Sequence, residues 1–138
     1  VRRTTPGILR TFIGLVLFTT AVGKLLDARG FARILGSYQA LPEGLLLPLA
    51  FAIPIAELAL SIWLFSAVRL AGAALASAVV HFAYAIWSAV GVLRGLQLPN
   101  CGCFGVFLAR PLGWSTVAED ILMVALSLWL LALAGRKS

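Results

Sequence analysis

Hydrophobic residues run along this chain in four long blocks, broken by three short polar stretches. The blocks cover Ile8 to Leu26, Leu45 to Phe65, Leu70 to Leu93 and Val117 to Ala134. Each is long enough, at the rise of an α-helix, to cross a hydrocarbon layer of about 30 Å. An open sheet would leave its edge groups unsatisfied in lipid, so the blocks predict four membrane-spanning helices. Between the first two lies DARGFARILGSYQALPEG, where Phe31, Ile34, Leu35 and Tyr38 recur at helical spacing. This stretch is too short and too polar to cross. It predicts an amphipathic helix at the membrane interface, ending near Pro42. A tight turn is expected at Ser66 to Arg69, and Pro99 and Pro111 argue against continuous helix in the segment from Arg94 to Ser115.

Composition agrees with this pattern. Of the 138 residues, 62% are hydrophobic and 12% charged, with a mean hydropathy of +1.03, far from a soluble domain. The predicted fold is an all-α membrane protein, a single domain over 1–138 built as a four-transmembrane-helix bundle with an interfacial helix between spans one and two. The net charge of +6 changes little, because the basic residues stand singly or in pairs at the ends of apolar blocks. Without a clustered basic face, no nucleic-acid partner is expected; the lipid bilayer is. Arg2 and Arg3 precede an apolar run, but no small-x-small cleavage site follows, so the first block reads as a retained span and not as a signal peptide. With four spans both termini share one side, together with Arg2, Arg3, Arg10, Arg69, Arg136 and Lys137. The other side holds Lys24, Arg29, Arg33, Arg94 and Arg110. The small excess, and the paired charges at both termini, place the termini in the cytoplasm and the Arg94–Ser115 segment outside.

That segment contains LPNCGCFG, with the chain's two cysteines, Cys101 and Cys103, on either side of Gly102. Two thiols at this spacing pair only in a small, strained ring, and the intervening glycine gives the backbone the freedom to close it. Strained, exposed disulfides are the labile ones suited to exchange with a partner thiol. The same sulfurs could instead donate to a soft ion such as Cu(I) or Hg(II), or be two unreactive small residues. Structural zinc would need further ligands, and the one histidine lies mid-span.

Inside the spans, Lys24 and Glu57 are expensive in lipid and are expected to face protein. They read as an ion pair that fixes helix packing, or as a proton-handling pair. Pro54, one turn before Glu57, is a candidate kink. His81 shares a helical face with Ser77, Tyr84 and Ser88; it reads as a packing hydrogen bond, or as a proton carrier or partner for a quinone carbonyl. Glu119 and Asp120 open the fourth block, where carboxylates suit a helix N-terminus, and their closeness to the cysteines makes them candidate proton acceptors. Arg110 is a candidate for stabilising a thiolate.

With AVGKLLD at the end of span one, PIAEL in span two and NCGCFG before span four, in that order, the chain resembles the MauE/DoxX family of redox-associated membrane proteins, and its MauE side in particular. The resemblance implies four helices in the bacterial inner membrane and periplasmic thiol–disulfide chemistry with a thioredoxin-like partner, supporting maturation of an exported protein, as for methylamine dehydrogenase. It makes Cys101 and Cys103 the redox pair. Against this stand a soft-metal carrier, and a non-catalytic subunit of a larger membrane complex, which the small size and four tryptophans would suit.

Overall fold

The computed structural model describes residues 4–101 and 111–135. These form five helices, with no strand among the described residues: α1 (Thr4–Leu25), α2 (Ala28–Ser37), α3 (Glu43–Ser66), α4 (Leu70–Leu93) and α5 (Trp114–Gly135). All but α2 are long and apolar enough to cross a membrane, so the four expected spans are present. Their ends differ in instructive ways. α1 starts at Thr4 instead of near Ile8, because Pro6 falls in the first turn, where a missing N–H is no loss. α3 continues as one helix through Pro48 and Pro54.

The short helix α2 starts as the pattern suggests but stops earlier than expected. Asp27 caps it by accepting the Gly30 N–H at 2.9 Å, which satisfies an otherwise orphaned donor. It ends at Ser37 and not near Pro42, since Gln39 already takes a left-handed conformation with φ of 54°. Its apolar stripe faces protein: Phe31, Ala32 and Leu35 pack on Ala50, with Leu46, Leu49 and Ile53 of α3 around them. Arg29 and Arg33 stay exposed.

α4 packs most extensively on α5, and α1 on α3; α1–α5 and α3–α4 contacts join the two pairs. Leu9, Ile13, Leu17, Leu60, Leu64, Ala73, Ala74, Met123 and Leu130 form the main apolar core. Outward, α1 shows Ile8, Phe12, Leu15 and Phe18, and α4 shows Val79, Phe82 and Ile86. The polar residues of the spans turn inward: Thr20, Lys24, Glu57, Ser77, His81, Ser88, Asp120 and Ser127 are all buried. Apolar outside and polar inside is the arrangement lipid demands.

The α3–α4 turn falls where expected. Ala67 caps α3 with φ of 60°, donating its N–H to the Leu64 carbonyl at 3.3 Å, and Arg69 has φ of 48°. Trp63 Nε1 donates to the Val68 carbonyl of the turn at 2.7 Å, and Arg10 of α1 donates to the Phe65 carbonyl at 2.7 Å, satisfying a carbonyl that α3 leaves open. A left-handed alanine costs about 1 kcal/mol that glycine avoids. Ala67→Gly is therefore expected to raise stability by about 1 kcal/mol in thermal unfolding of the detergent-solubilised protein.

Candidate functional site

The end of the bundle where α1 meets α2 gathers most of the buried chemistry. Lys24 lies in the last turn of α1, where a cation complements the helix dipole. Its Nζ donates to Glu57 Oε1 at 2.6 Å, with only 4% and 2% of the two side chains exposed. Thr20, one turn earlier on the same face of α1, donates to Glu57 Oε2 at 2.9 Å. The ammonium also lies 5.4 Å from the Phe31 ring centroid and 5.2 Å from that of Tyr84, within cation–π reach. The ion pair read from the sequence is thus formed, and aromatic rings from α2 and α4 enclose it.

The cysteine segment is tied down at both ends. Past α4, Gly95 has φ of 78°; its N–H bonds the Val92 carbonyl at 3.0 Å, and the Leu96 N–H reaches back to Gly91 at 3.1 Å. This is a Schellman stop, and the left-handed position favours glycine. The Leu112 N–H then bonds the Leu98 carbonyl at 3.0 Å, which closes the segment into a loop. Tyr38, just past α2, donates its hydroxyl to the Cys101 carbonyl at 2.5 Å. Arg94 holds that tyrosine in place, donating to the Tyr38 carbonyl at 2.6 Å and to Gln39 at 3.3 Å. Gly91 makes room for this junction: a Cβ there would meet Leu112 at 3.0 Å and Tyr38 at 3.4 Å.

Cys101 itself is buried, with 7% of its surface exposed. The sequence led us to expect an exposed thiol in an exposed turn; Tyr38 and the loop closure instead draw this cysteine into the protein. Gly102, Cys103 and Arg110 lie outside the described residues. Behind Cys101 is a cavity of about 260 Å³ between α2, α3 and α4. Phe31, Tyr38, Tyr84 and Trp87 are among its walls, and Lys24, Ser88 and Cys101 supply its polar chemistry. The Tyr38 and Trp87 rings pack at 5.0 Å, tilted by 46°.

His81 stands apart from that cavity. Its Nδ1 lies 2.8 Å from the Ser77 carbonyl, an acceptor only, so this nitrogen carries the proton. The Ser77 and Ser127 hydroxyls are 2.8 Å apart and tie α4 to α5. Ser127 stands out in the sequence only through its spacing, since Thr116, Asp120 and Ser127 recur at helical intervals on α5 and all three are buried.

Glu119 and Asp120 do not open α5 as expected. The helix begins at Trp114, following Pro111 and Gly113, and its first turn holds no acidic residue. In the second turn the two carboxylates diverge: Glu119 is half-buried and Asp120 is buried, with 8% exposed. Asp120 lies within hydrogen-bonding range of Ser88 and in electrostatic reach of Cys101, Glu119 and Lys24. Its Oδ2 makes no hydrogen bond among the described residues.

Lys24, Glu57 and Cys101 come from the three segments on which the family resemblance rests, and they converge here: Glu57 holds Lys24, which shares the cavity with Cys101. The family profile described as "Methylamine utilisation protein MauE" matches residues 2–133. The chain belongs to the MauE family. It is 30% identical over 120 residues to the methylamine utilization protein MauE of Paracoccus denitrificans, covering 87% of this chain and 64% of that protein. The MauE of Paracoccus versutus is 32% identical over 125 residues, covering 91% and 67%, and that of Methylorubrum extorquens 31% over 129 residues, covering 91% and 69%. The chain thus spans about two thirds of the length of these relatives. No solved structure matches it. As a MauE family member with four apolar helices, it is an integral membrane protein.

Proposed function

We propose that this MauE family protein is a thiol–disulfide redox component of the bacterial inner membrane, exchanging disulfides or electrons with a periplasmic thioredoxin-like partner in support of maturation of an exported protein. The observation that carries this reading is the placement of Cys101: its loop is closed on itself and bonded to Tyr38, and the residue forms the wall of a cavity that also holds a buried ion pair. A merely structural cysteine does not call for such surroundings.

The exchange runs in two displacements. A thiolate of the chain attacks a partner disulfide and one partner sulfur leaves; the second cysteine then displaces the other, leaving an intrachain disulfide and a reduced partner dithiol. The reverse order oxidises the partner. Attack requires access, and Cys101 is buried. On this reading the burial of Cys101 suits the resolving role, which leaves the mixed disulfide to Cys103.

Cys101→Ser is expected to accumulate a mixed disulfide with a thioredoxin-like protein, seen on non-reducing gels and lost on reduction; Cys103→Ser is expected to trap none. Trapping by neither variant, with activity retained in both, would overturn the function, and the opposite pattern would overturn the assignment of roles. The proposed orientation, with cytoplasmic termini, makes a separate prediction. In intact cells a membrane-impermeant thiol reagent labels the attacking cysteine, Cys103, only after reduction, and labelling that required permeabilisation would put the loop on the other side.

A further inference from the structure

The cavity beside Cys101 has a wall chemistry that helix packing does not call for. Aromatic side chains of α2 and α4, Phe31, Tyr84 and Trp87 among them, line a space of about 260 Å³, near the lower end of the volume of small-molecule sites. The polar groups in its wall are few: the Lys24 ammonium, with one of its three N–H donors given to Glu57, the Cys101 thiol, the Tyr84 hydroxyl, the Tyr38 hydroxyl, which donates to the Cys101 carbonyl, and the Ser88 hydroxyl, which Asp120 engages. Ala83, on the cavity's rim, is exposed on α4 beside the outward-facing Phe82, so the space is reached from the lipid side of the bundle.

These features select the occupant. An acyl chain would leave the remaining N–H donors of the Lys24 ammonium unanswered. An anion would find a charge that Glu57 already neutralises at 2.6 Å, and would lose its hydration on entry. A neutral, planar, apolar ring carrying hydrogen-bond acceptors satisfies both the aromatic walls and the donors. Contact with Cys101 adds the last constraint, a ring able to take electrons from a thiol.

We infer that the cavity binds the ring of a membrane para-quinone, which accepts the electron pair of the Cys101–Cys103 dithiol. The two thiols give up two electrons and two protons as the S–S bond forms. The ring takes both electrons, and each of its carbonyl oxygens takes one proton, so dithiol and quinone become disulfide and hydroquinone. The electron step rests on the thiol–disulfide reading, whereas the binding does not. The site lies at Lys24 and Tyr84, and not at His81, whose Nδ1 is committed to Ser77.

The test uses the full-length protein in liposomes with both cysteines changed to serine, so that binding is read without chemistry. A photoreactive short-chain ubiquinone analogue is cross-linked and mapped by mass spectrometry, with a menaquinone analogue in a parallel arm to separate benzoquinone from naphthoquinone. Labelling is expected on α2 and on residues 83–88, competed by the unlabelled quinone. It should fall about tenfold in Ala83→Phe, which blocks the rim at an exposed position, and in Tyr84→Leu, but not in the lipid-facing Phe82→Leu. Labelling spread over the lipid-facing surface, or unchanged by Ala83→Phe, overturns the site. The reduced native-cysteine protein, mixed anaerobically with excess quinone, should yield one hydroquinone per chain; binding without hydroquinone overturns the electron step. Failure of partner trapping with quinone labelling intact would remove the relay and leave this site standing. Trapping without labelling would remove this site alone.

Discussion

Glu57→Leu is expected to destabilise the bundle by about 3–5 kcal/mol, the range for stripping a buried charge of its partner. Against a total stability of about 5–15 kcal/mol, that is enough to leave a large share of the protein unfolded. The Lys24 ammonium is buried, and the Glu57 carboxylate is its ion-pair partner among the described residues. Without it, the Phe31 and Tyr84 faces at 5.4 and 5.2 Å return only about 1–2 kcal/mol. Thr20 also loses its acceptor on Glu57. The double variant Lys24→Met, Glu57→Leu should recover most of the loss, because a well-packed apolar pair replaces an ion pair at little net cost. Thermal unfolding in bicelles, followed by circular dichroism, reads both variants. A single variant within about 1 kcal/mol of the parent would mean that the fold does not depend on the pair.

Most of the scaffold was legible in the sequence because lipid enforces it. Apolar runs of sufficient length have to be helices, and ionisable residues within them have to turn inward, so the spans and the Lys24–Glu57 pair followed from pattern alone. What could not be read was where one helix meets another. Arg10 and Arg94 look like headgroup anchors in a charge count, yet both donate to backbone carbonyls, of Phe65 and of Tyr38 and Gln39. These bonds span more than fifty positions of chain, and no local periodicity announces them. The same holds for Tyr38 and Cys101, brought together because α2 folds onto α3 and the chain turns off the end of α4 at Gly95. The burial of Cys101 is a consequence of that tertiary contact. The composition of its loop, rich in turn-formers, pointed the other way. The start of α5 was misread for a simpler reason: apolar block length marks where lipid begins, whereas the helix begins three residues earlier at Trp114, an amphipathic residue suited to the boundary.

That shift in helix start changes which carboxylate can serve the cysteines. With α5 beginning at Trp114, Asp120 turns into the bundle beside Ser88 and within electrostatic reach of Cys101, and Glu119 stays half-buried. A buried carboxylate with an oxygen lacking a hydrogen bond among the described residues is costly to keep, which fits a group retained for proton transfer from the thiol. Asp120→Asn preserves shape and removes the basic oxygen. It is expected to leave stability within about 1 kcal/mol of the parent, since no formed ion pair is lost, while slowing oxidation of the reduced pair by about 100-fold at neutral pH, the lower end for general base catalysis. Glu119→Gln should leave that rate unchanged. The pH profile separates proton transfer from a packing defect. Without an internal acceptor the rate must follow the thiolate fraction, rising about tenfold per pH unit below the ordinary thiol pKa of about 8.5. The variant therefore converges on the parent above about pH 9, whereas a packing defect would hold the two curves apart at every pH. An Asp120→Asn protein as fast as the parent across the whole range would mean that the thiol proton passes directly to water.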